Sequence, residues 1–165
     1  MVTDKNILEM TARNLLNERG VSVDDIAELV HFLQAPYVEN LDLKTCAENV
    51  DNVLKKREVQ NAIVTGIQLD ILAEKEALLE PLQEIVTSDE GLYGIDEIMA
   101  LSIVNVYGSI GFTNYGYIDK VKPGILEKLN DKNSGHVHTF LDDIVGAIAA
   151  AAASRLAHAK EGIES

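Results

Sequence analysis

Pairs of neighbouring carboxylates stand where two apolar segments begin in the second half of the chain. Asp96 and Glu97 precede one of these segments, Asp142 and Asp143 precede the other, and Asp119 lies between the two pairs. Neighbouring acids repel each other, and burying them costs free energy unless a cation or hydrogen-bond donors offset their charge. Because hard divalent cations prefer carboxylate oxygens as ligands, this pattern indicates a metal site.

Each pair also has an explanation that involves no metal. Acids in the first turn of a helix are favoured by the helix dipole by about 0.3 to 1 kcal/mol. Asp142 has the spacing from Thr139 that a capping box at the start of the last helix requires. Neighbouring residues on a helix point about 100° apart, so that box leaves Asp143 unexplained. Helix capping therefore stays open beside the metal site.

Other polar residues give weaker indications of chemistry. Asp119 and Lys122 have the spacing of an ion pair on one helix turn. His136 and His138 have a spacing that suits a transition metal, but two histidines in a polar loop are more often surface residues, and we leave them out of the predicted site. The sequence contains no Gly-x-Ser-x-Gly nucleophile elbow and no Walker or dinucleotide fingerprint.

Charge and cysteine content narrow the function classes. The 165 residues include 14 Lys and Arg against 27 Asp and Glu, and the net charge of −13 disfavours nucleic acid as a partner. Cys46 is the only cysteine, which excludes an internal disulfide and favours a reducing cytoplasm. No apolar run reaches the roughly 18 residues of a membrane span, and no signal peptide is recognisable. We therefore expect a soluble, cytoplasmic protein with a single domain, residues 1–165.

The elements that must position the acidic residues are predicted to be helices. Few prolines, no tryptophan and apolar residues at helical spacing indicate an all-α fold, a bundle of several helices. Thr3 or Asp4 is expected to cap the first helix, which Gly20 ends. Ser22 is expected to start the second helix, with Asp25 in the capping-box position.

One long central helix is predicted from about residue 43 to residue 80, with a bend allowed at Gly66. No proline interrupts this segment, and its apolar residues recur at helical spacing. A polar stripe on this helix either lines a site or forms a solvated face, and we favour the solvated face. The stripe consists of Glu58, Asn61, Thr65 and Gln68.

Shorter helices and one buried helix are predicted in the second half of the chain. A helix over about 95–106 precedes the segment 108–116, whose glycines are expected to interrupt the helical pattern. Those glycines either let helices pack closely or expose N–H groups to a phosphate. A short helix is expected to end near Leu129. The last helix is expected to start at Thr139 and to run to about Lys160, with its alanine-rich part buried.

The order of the acidic segments resembles that of a known family. Residues 94–98 read Gly-Ile-Asp-Glu-Ile, residues 119–123 read Asp-Lys-Val-Lys-Pro, and residues 140–147 read Phe-Leu-Asp-Asp-Ile-Val-Gly-Ala. In this order they resemble the acidic core of the phosphatidylglycerophosphatase A family, in particular its soluble branch from Gram-positive bacteria. Membrane-bound members carry transmembrane helices and an arginine at the position of Gly116, and this chain departs from them in both respects.

The resemblance implies a Mg²⁺-dependent phosphatase that hydrolyses phosphatidylglycerophosphate or a related lipid phosphate. It implies that carboxylates hold Mg²⁺, that Lys122 binds a phosphate oxygen, and that one acid, not identified by the resemblance, acts as general base. The implied metal ligands are Asp96, Glu97, Asp142 and Asp143, and the implied catalytic residues are Asp119, Lys122 and Asp143.

Two alternative functions stay open. An all-α nucleotide pyrophosphohydrolase would use Mg²⁺ and acids such as Glu48 and Asp51, and a non-enzymatic oligomeric helical protein would use its acids only as caps.

The apolar fraction of 47% and the alanine-rich last helix predict a homo-oligomer. If the substrate is a lipid, contact with the membrane is expected to be peripheral, because anionic leaflets repel an acidic surface.

Overall fold

A computed structural model describes residues 4–160, with the side chains of residues 7–159. Across these residues the chain forms nine α-helices and one short 3₁₀ helix, with no β-strand. The all-α prediction is therefore confirmed. The helices are α1 Asp4–Glu18, α2 Val23–Gln34, α3 Leu43–Leu54, α4 Arg57–Glu74, α5 Leu82–Ser88, α6 Ile95–Val104, α7 Ser109–Val121, α8 Ile125–Leu129 and α9 Leu141–Lys160, and the 3₁₀ helix is Asn105–Tyr107.

Helix α9 forms the centre of the fold. Every residue from 141 to 154 is buried, and α2, α3, α6 and α7 all pack against this helix. The small side chains of its alanines let the neighbouring helices approach its backbone closely. The predicted buried, alanine-rich last helix is therefore confirmed.

The predicted end of α1 and the predicted start of α2 are confirmed. Gly20 has a φ of +84°, which glycine adopts without strain after the end of α1. Ser22 Oγ accepts a hydrogen bond from the Asp25 N–H at 3.0 Å, and an Asp25 carboxylate oxygen accepts one from the Ser22 N–H at 2.9 Å. The predicted capping box is confirmed, whereas Thr3 lies outside the described residues.

The prediction of one helix over residues 43–80 is wrong, because the segment divides into α3 and α4. Helix α3 ends at Leu54, and Lys56 has the extended conformation φ −80°, ψ 131°. Gln60 Nε2 donates to the Leu54 carbonyl at 2.9 Å and so satisfies an acceptor left free by the end of α3. The break lets α3 pack on α2 and α9 while α4 packs on α1 and α6. Helix α4 continues through Gly66 and ends at Glu74.

The prediction that residues 108–116 interrupt the helical pattern is also wrong beyond Gly108. Helix α7 begins at Ser109 and includes Gly111 and Gly116. A Cβ atom at Gly111 would lie 3.2 Å from the Val104 carbonyl oxygen. Gly111 therefore serves close packing of α7 against α6, which is the first of the two alternatives that the sequence left open.

Gly66 marks a close approach of α4 to α9 and α6. A Cβ atom at this position would lie 3.1 Å from Phe140 Cβ and 3.2 Å from Met99 Sδ. We expect Gly66→Ala to lower the free energy of unfolding by about 1 to 3 kcal/mol, as overpacking does. Gly116→Ala is the matched control, since nothing lies within 4 Å of its Cβ position and alanine favours helix. Equal urea midpoints for the two variants would contradict this packing.

Candidate functional site

Three distant parts of the sequence meet around a set of carboxylates that we call the acid cluster: Asp96, Asp119, Asp142 and Asp143. Asp96 lies in the first turn of α6, Asp142 and Asp143 in the first turn of α9, and Asp119 in the last turn of α7. Besides burial, the charges of Asp142, Asp96 and Asp119 all act on Asp143 and raise its pKa. The fold therefore brings together four of the predicted acids.

Burial distinguishes the acid cluster from ordinary first-turn acids. Asp96, Asp142 and Asp143 are only 8%, 9% and 7% exposed. Burial, followed by the charges of Asp142 and Asp96, raises the pKa of Asp143 well above the usual range of a carboxyl group. Burial also raises the pKa of Asp142, although the charge of Lys122 opposes this effect. These carboxyls lack enough positive charge around them to be ionised at low cost.

Tyr115 contacts Asp143 within the acid cluster. Its hydroxyl donates a hydrogen bond to Asp143 Oδ1 at 3.3 Å. Burial and the charge of Asp143 raise the pKa of Tyr115, so the phenol keeps its proton and acts as a donor. Tyr115 was not predicted from the sequence, where its only signal was its place in helical register with Asp119 on α7.

Lys122 is the cation that faces the acid cluster. Its Nζ lies 3.0 Å from Asp119 Oδ1, which confirms the predicted spacing of an ion pair. Partial burial acts to lower the pKa of Lys122, but the hydrogen bond and charge of Asp119 and the charges of Asp142 and Asp143 outweigh burial and raise it. One lysine stands beside several carboxylates, so the cluster keeps a net negative charge.

Glu97 takes a different position from its neighbour Asp96. Its side chain is exposed, while its backbone N–H donates to Asp96 Oδ1 at 3.0 Å. The structure thus brings Asp96 into the buried cluster and leaves Glu97 at its solvent edge. A role for Glu97 as a metal ligand stays a prediction.

The capping box predicted at the start of α9 is wrong. The helix begins at Leu141, and the Thr139 hydroxyl donates to the Val86 carbonyl at 2.6 Å instead of capping α9. The cap comes from Asp70 in α4, whose carboxylate accepts the Phe140 N–H at 3.0 Å and the Leu141 N–H at 3.0 Å. Because Asp70 supplies this cap, capping by Thr139 no longer accounts for Asp142.

A polar cavity of about 60 Å³ adjoins the acid cluster at Asp142. Besides Asp142, its lining includes Asp89, whose negative charge contributes to the raised pKa of Asp142. His136 and His138 line the same cavity. Burial and the charge of Arg19 lower the pKa of His138 to about 4, so its ring is neutral at pH 7. Asp89 was missed as part of this region, since it stands in a polar loop without a motif.

An ion pair between Arg19 and Glu74 contacts the loop before α9 and holds it in place. Arg19 Nη1 donates to Glu74 Oε2 at 3.1 Å, Arg19 Nη2 donates to the Val137 carbonyl at 2.8 Å, and the Val137 N–H donates to Glu74 Oε1 at 2.8 Å. His136 Nδ1 also lies 3.3 Å from Glu74 Oε1. Both histidines thus lie next to this ion pair, because His138 Nδ1 lies 3.4 Å from Arg19 Nη2. Their exclusion from the metal site stays a prediction.

Because of Glu74, we expect the folded protein to lose stability as the pH falls. Partial burial acts to raise its pKa, but the hydrogen bonds from Arg19 and Val137 and the charge of Arg19 outweigh burial and lower the pKa to about 2. A lowered carboxyl pKa stabilises the fold above the unfolded pKa near 4.5, and this contribution is lost as pH falls toward 2. We expect Glu74→Gln to destabilise the protein at pH 6 by up to about 3 kcal/mol and to flatten its profile below pH 4.5.

Urea denaturation of wild type and Glu74→Gln at several pH values between 6 and 2.5 would measure this effect. The matched control is Glu28→Gln, which changes an exposed carboxylate in α2. Parallel stability profiles for wild type and Glu74→Gln would contradict the assignment.

Two groups of polar residues lie apart from the acid cluster. Asp51 forms ion pairs with Arg13 at 2.8 Å and with Lys55 at 3.2 Å, while Glu48 is exposed, so no observation favours the nucleotide pyrophosphohydrolase alternative. The polar stripe of α4 is a solvated face, as favoured from the sequence. Its exposed members are Glu58, Asn61, Thr65 and Gln68.

The donors of the acid cluster fit a hard divalent cation. Among residues 4–160 no three His, Cys, Asp or Glu side chains are already grouped closely enough to enclose an ion. Asp96, Asp142 and Asp143 nevertheless supply buried carboxylate oxygens whose mutual repulsion a cation would offset. The residues present therefore suit Mg²⁺ better than a softer metal.

The described part of the chain is thus an all-α protein with an acid cluster. The cluster lies between the starts of α6 and α9 and the end of α7. The chain belongs to the phosphatidylglycerophosphatase A family, whose family model matches residues 14–158. The family resemblance of the acidic segments is thereby confirmed.

Close relatives and solved structures share this fold. The chain is 66% identical to the uncharacterized protein YutG of Bacillus subtilis, over 92% of this chain and 91% of that protein. It is similar to the crystal structure of the low temperature requirement C protein from Listeria monocytogenes, with a TM-score of 0.92, 71% identity, and coverage of 93% of this chain and 97% of that one. It is also similar to the crystal structure of ypjQ from Bacillus subtilis, with a TM-score of 0.92 and 54% identity. The match covers 97% of this chain and 99% of that one.

None of the helices in the described part of the chain combines the length and apolar character needed to cross a membrane.

Proposed function

We propose that this protein is a Mg²⁺-dependent phosphatase that hydrolyses a phosphomonoester, namely phosphatidylglycerophosphate or a related lipid phosphate. The observation that carries the proposal is the acid cluster itself. Buried carboxylates that repel one another destabilise the metal-free fold, and bound Mg²⁺ would offset that cost. Membership of the phosphatidylglycerophosphatase A family supports the reaction class.

The residues of the cluster divide into three roles. Asp96, Asp142 and Asp143 would hold Mg²⁺, which when bound neutralises phosphate charge and lowers the pKa of an attacking water. Lys122 Nζ would bind a phosphate oxygen, and Asp119 Oδ1 holds that Nζ at 3.0 Å. Water oxygen forms a bond to phosphorus while the bond to the alcohol oxygen breaks, so the products are the alcohol and inorganic phosphate.

Apolar side chains around Asp96 support a lipid as the substrate. Leu92, Ile95 and Ile98 are 94%, 52% and 63% exposed, and they flank Asp96 at the start of α6. We propose that these side chains contact acyl chains or the membrane surface while the phosphate reaches the acid cluster. The contact would be peripheral, and it would require Mg²⁺ because the protein is strongly acidic.

A second copy of the chain is the other proposed partner. Phe32 of α2 and Tyr117 of α7 form an exposed stacked pair with ring centroids 5.8 Å apart. Such a pair provides an apolar surface for a homo-oligomer. Sedimentation of wild type and Tyr117→Ser would test this proposal, since an unchanged mass distribution would exclude the pair from an interface.

Phosphate release tests the proposed reaction. The purified protein would be assayed with phosphatidylglycerophosphate in mixed micelles, with glycerol 3-phosphate and with a nucleoside triphosphate, each with Mg²⁺ and with EDTA. We expect Mg²⁺-dependent release of inorganic phosphate from the lipid. Release of pyrophosphate from the nucleotide would favour a pyrophosphohydrolase, and no release from any substrate would favour the non-enzymatic alternative.

A further inference from the structure

Asp70 is a fully buried carboxylate in a helix that carries none of the predicted site residues. It lies on the buried side of α4, one turn after Gly66, and has no exposed surface. Its Oδ2 accepts the Phe140 N–H at 3.2 Å and the Leu141 N–H at 3.0 Å, while Oδ1 accepts the Phe140 N–H at 3.0 Å. The carboxylate of Asp70 thus holds the start of α9.

The helix turn that Asp70 caps carries two members of the acid cluster, Asp142 and Asp143. The first N–H groups of a helix have no partner within the helix and need acceptors from elsewhere. Asp70 satisfies those of Phe140 and Leu141, the two residues directly before Asp142 and Asp143. The direction in which α9 enters the cluster is therefore fixed by a side chain from α4.

Helix α4 also contacts the helix that carries the third buried acid. Gly66 allows close approach to Phe140 at the start of α9 and to Met99 in the first half of α6, the helix that begins next to Asp96. One turn of α4, from Gly66 to Asp70, consequently supports both α6 and α9.

A carboxylate is a costly choice for a buried cap. Burial raises the pKa of Asp70 to about 8, although the amide hydrogen bonds and the charge of Arg19 act to lower it. A serine or asparagine would place no charge in the core, but its single oxygen would replace two acceptors, since Oδ1 accepts the Phe140 N–H and Oδ2 accepts the Leu141 N–H. Two oxygens on one side chain hold two successive N–H groups in one fixed geometry.

We propose that Asp70 is a positioning residue that sets the placement of Asp142 and Asp143 relative to Asp96, and thereby the Mg²⁺ affinity of the acid cluster. This inference rests on the proposed function. Residues that orient metal ligands typically change metal affinity by about tenfold to a hundredfold when replaced.

Asp70→Asn tests this role, because it keeps the side-chain shape and one oxygen acceptor but replaces the second oxygen by an NH2 group, which cannot accept the second N–H. The matched control is Asp42→Asn, since Asp42 caps α3 by accepting the Thr45 N–H at 2.7 Å and α3 carries no site residue. The first measurement is amide hydrogen exchange of the metal-free proteins. The second is the Mg²⁺ concentration that gives half of the metal-dependent rise in Tm.

Asp70→Asn is expected to speed exchange at Phe140 and Leu141 and to raise the half-maximal Mg²⁺ concentration by about tenfold or more. Asp42→Asn should leave the Mg²⁺ response unchanged, because asparagine caps a helix about as well as aspartate. An Asp70→Asn protein with the wild-type exchange pattern or the wild-type Mg²⁺ response would overturn the proposal.

Two further outcomes are separable. If Asp70→Asn does not fold, Asp70→Glu replaces it in the same measurements, because it keeps the charge but displaces the oxygens, and the same results decide the proposal. If wild type shows no response to Mg²⁺, the proposed function fails, and hydrogen exchange alone then decides whether Asp70 positions the start of α9.

Discussion

Asp143→Asn is expected to lose phosphatase activity by roughly a hundredfold to a thousandfold, because removing a metal ligand forfeits several kcal/mol of transition-state stabilisation. Its effect on stability should depend on Mg²⁺. Without metal, the variant relieves repulsion from Asp142 and Asp96, so its Tm should equal or exceed that of wild type. With Mg²⁺, the variant should lack the rise in Tm that bound metal gives wild type.

Thermal melts with and without Mg²⁺, run beside a phosphate-release assay, would measure both effects. Asp24→Asn is the matched control, because Asp24 is an exposed acid in the first turn of α2. There we expect at most a dipole-sized loss of about 1 kcal/mol or less and unchanged activity. Wild-type turnover together with an unaltered Mg²⁺-dependent shift in Asp143→Asn would exclude Asp143 from the site.

Lys122→Met should also cause a large loss, through substrate binding and through the charge balance of the acid cluster. The variant keeps much of the side-chain length but removes the cation that pairs with Asp119 and acts on Asp142. Because charge-assisted contacts to phosphate are worth about 2 to 4 kcal/mol in the transition state, kcat/KM should fall by roughly a hundredfold. The metal-free protein should also be less stable, since the carboxylates lose their opposite charge.

Steady-state kinetics and metal-free melts would test Lys122→Met against Lys120→Met. Lys120 is an exposed lysine in the same helix turn and shares no contact with the cluster among the ion pairs of the described residues. We expect Lys120→Met to behave as wild type. Equal kcat/KM for the two variants would show that Lys122 does not contact the phosphate.

Local signals in the sequence predicted much of the fold. The capping box of Ser22 and Asp25 and the glycine at the end of α1 depend on neighbours within a few residues, and the structure confirms both. The long helix failed for the opposite reason. The apolar spacing runs through the break, and the lysines there favour helix, so only the tertiary contacts of α3 and α4 reveal it.

The acid cluster was predictable in composition but not in geometry. The order of the acidic segments pointed to Asp96, Asp119, Asp142 and Asp143, which the fold brings together. Asp70 was not found, because its partners lie 70 and 71 residues further along the chain. Its only signal was an acid among the buried apolar positions of α4, such as Ile63 and Ile67. An acidic residue on an otherwise apolar helix face thus indicates a side chain that binds backbone groups distant in the sequence.

We propose that the acid cluster binds a divalent cation. The most direct measurement is anomalous diffraction from a crystal soaked in Mn²⁺, which prefers the same oxygen ligands as Mg²⁺ and is visible by its anomalous scattering. We expect a peak in contact with carboxylate oxygens of Asp96 and of Asp142 or Asp143. A map without a peak there, at a Mn²⁺ concentration that supports turnover, or with a peak only in the cavity beside Asp89, would contradict it.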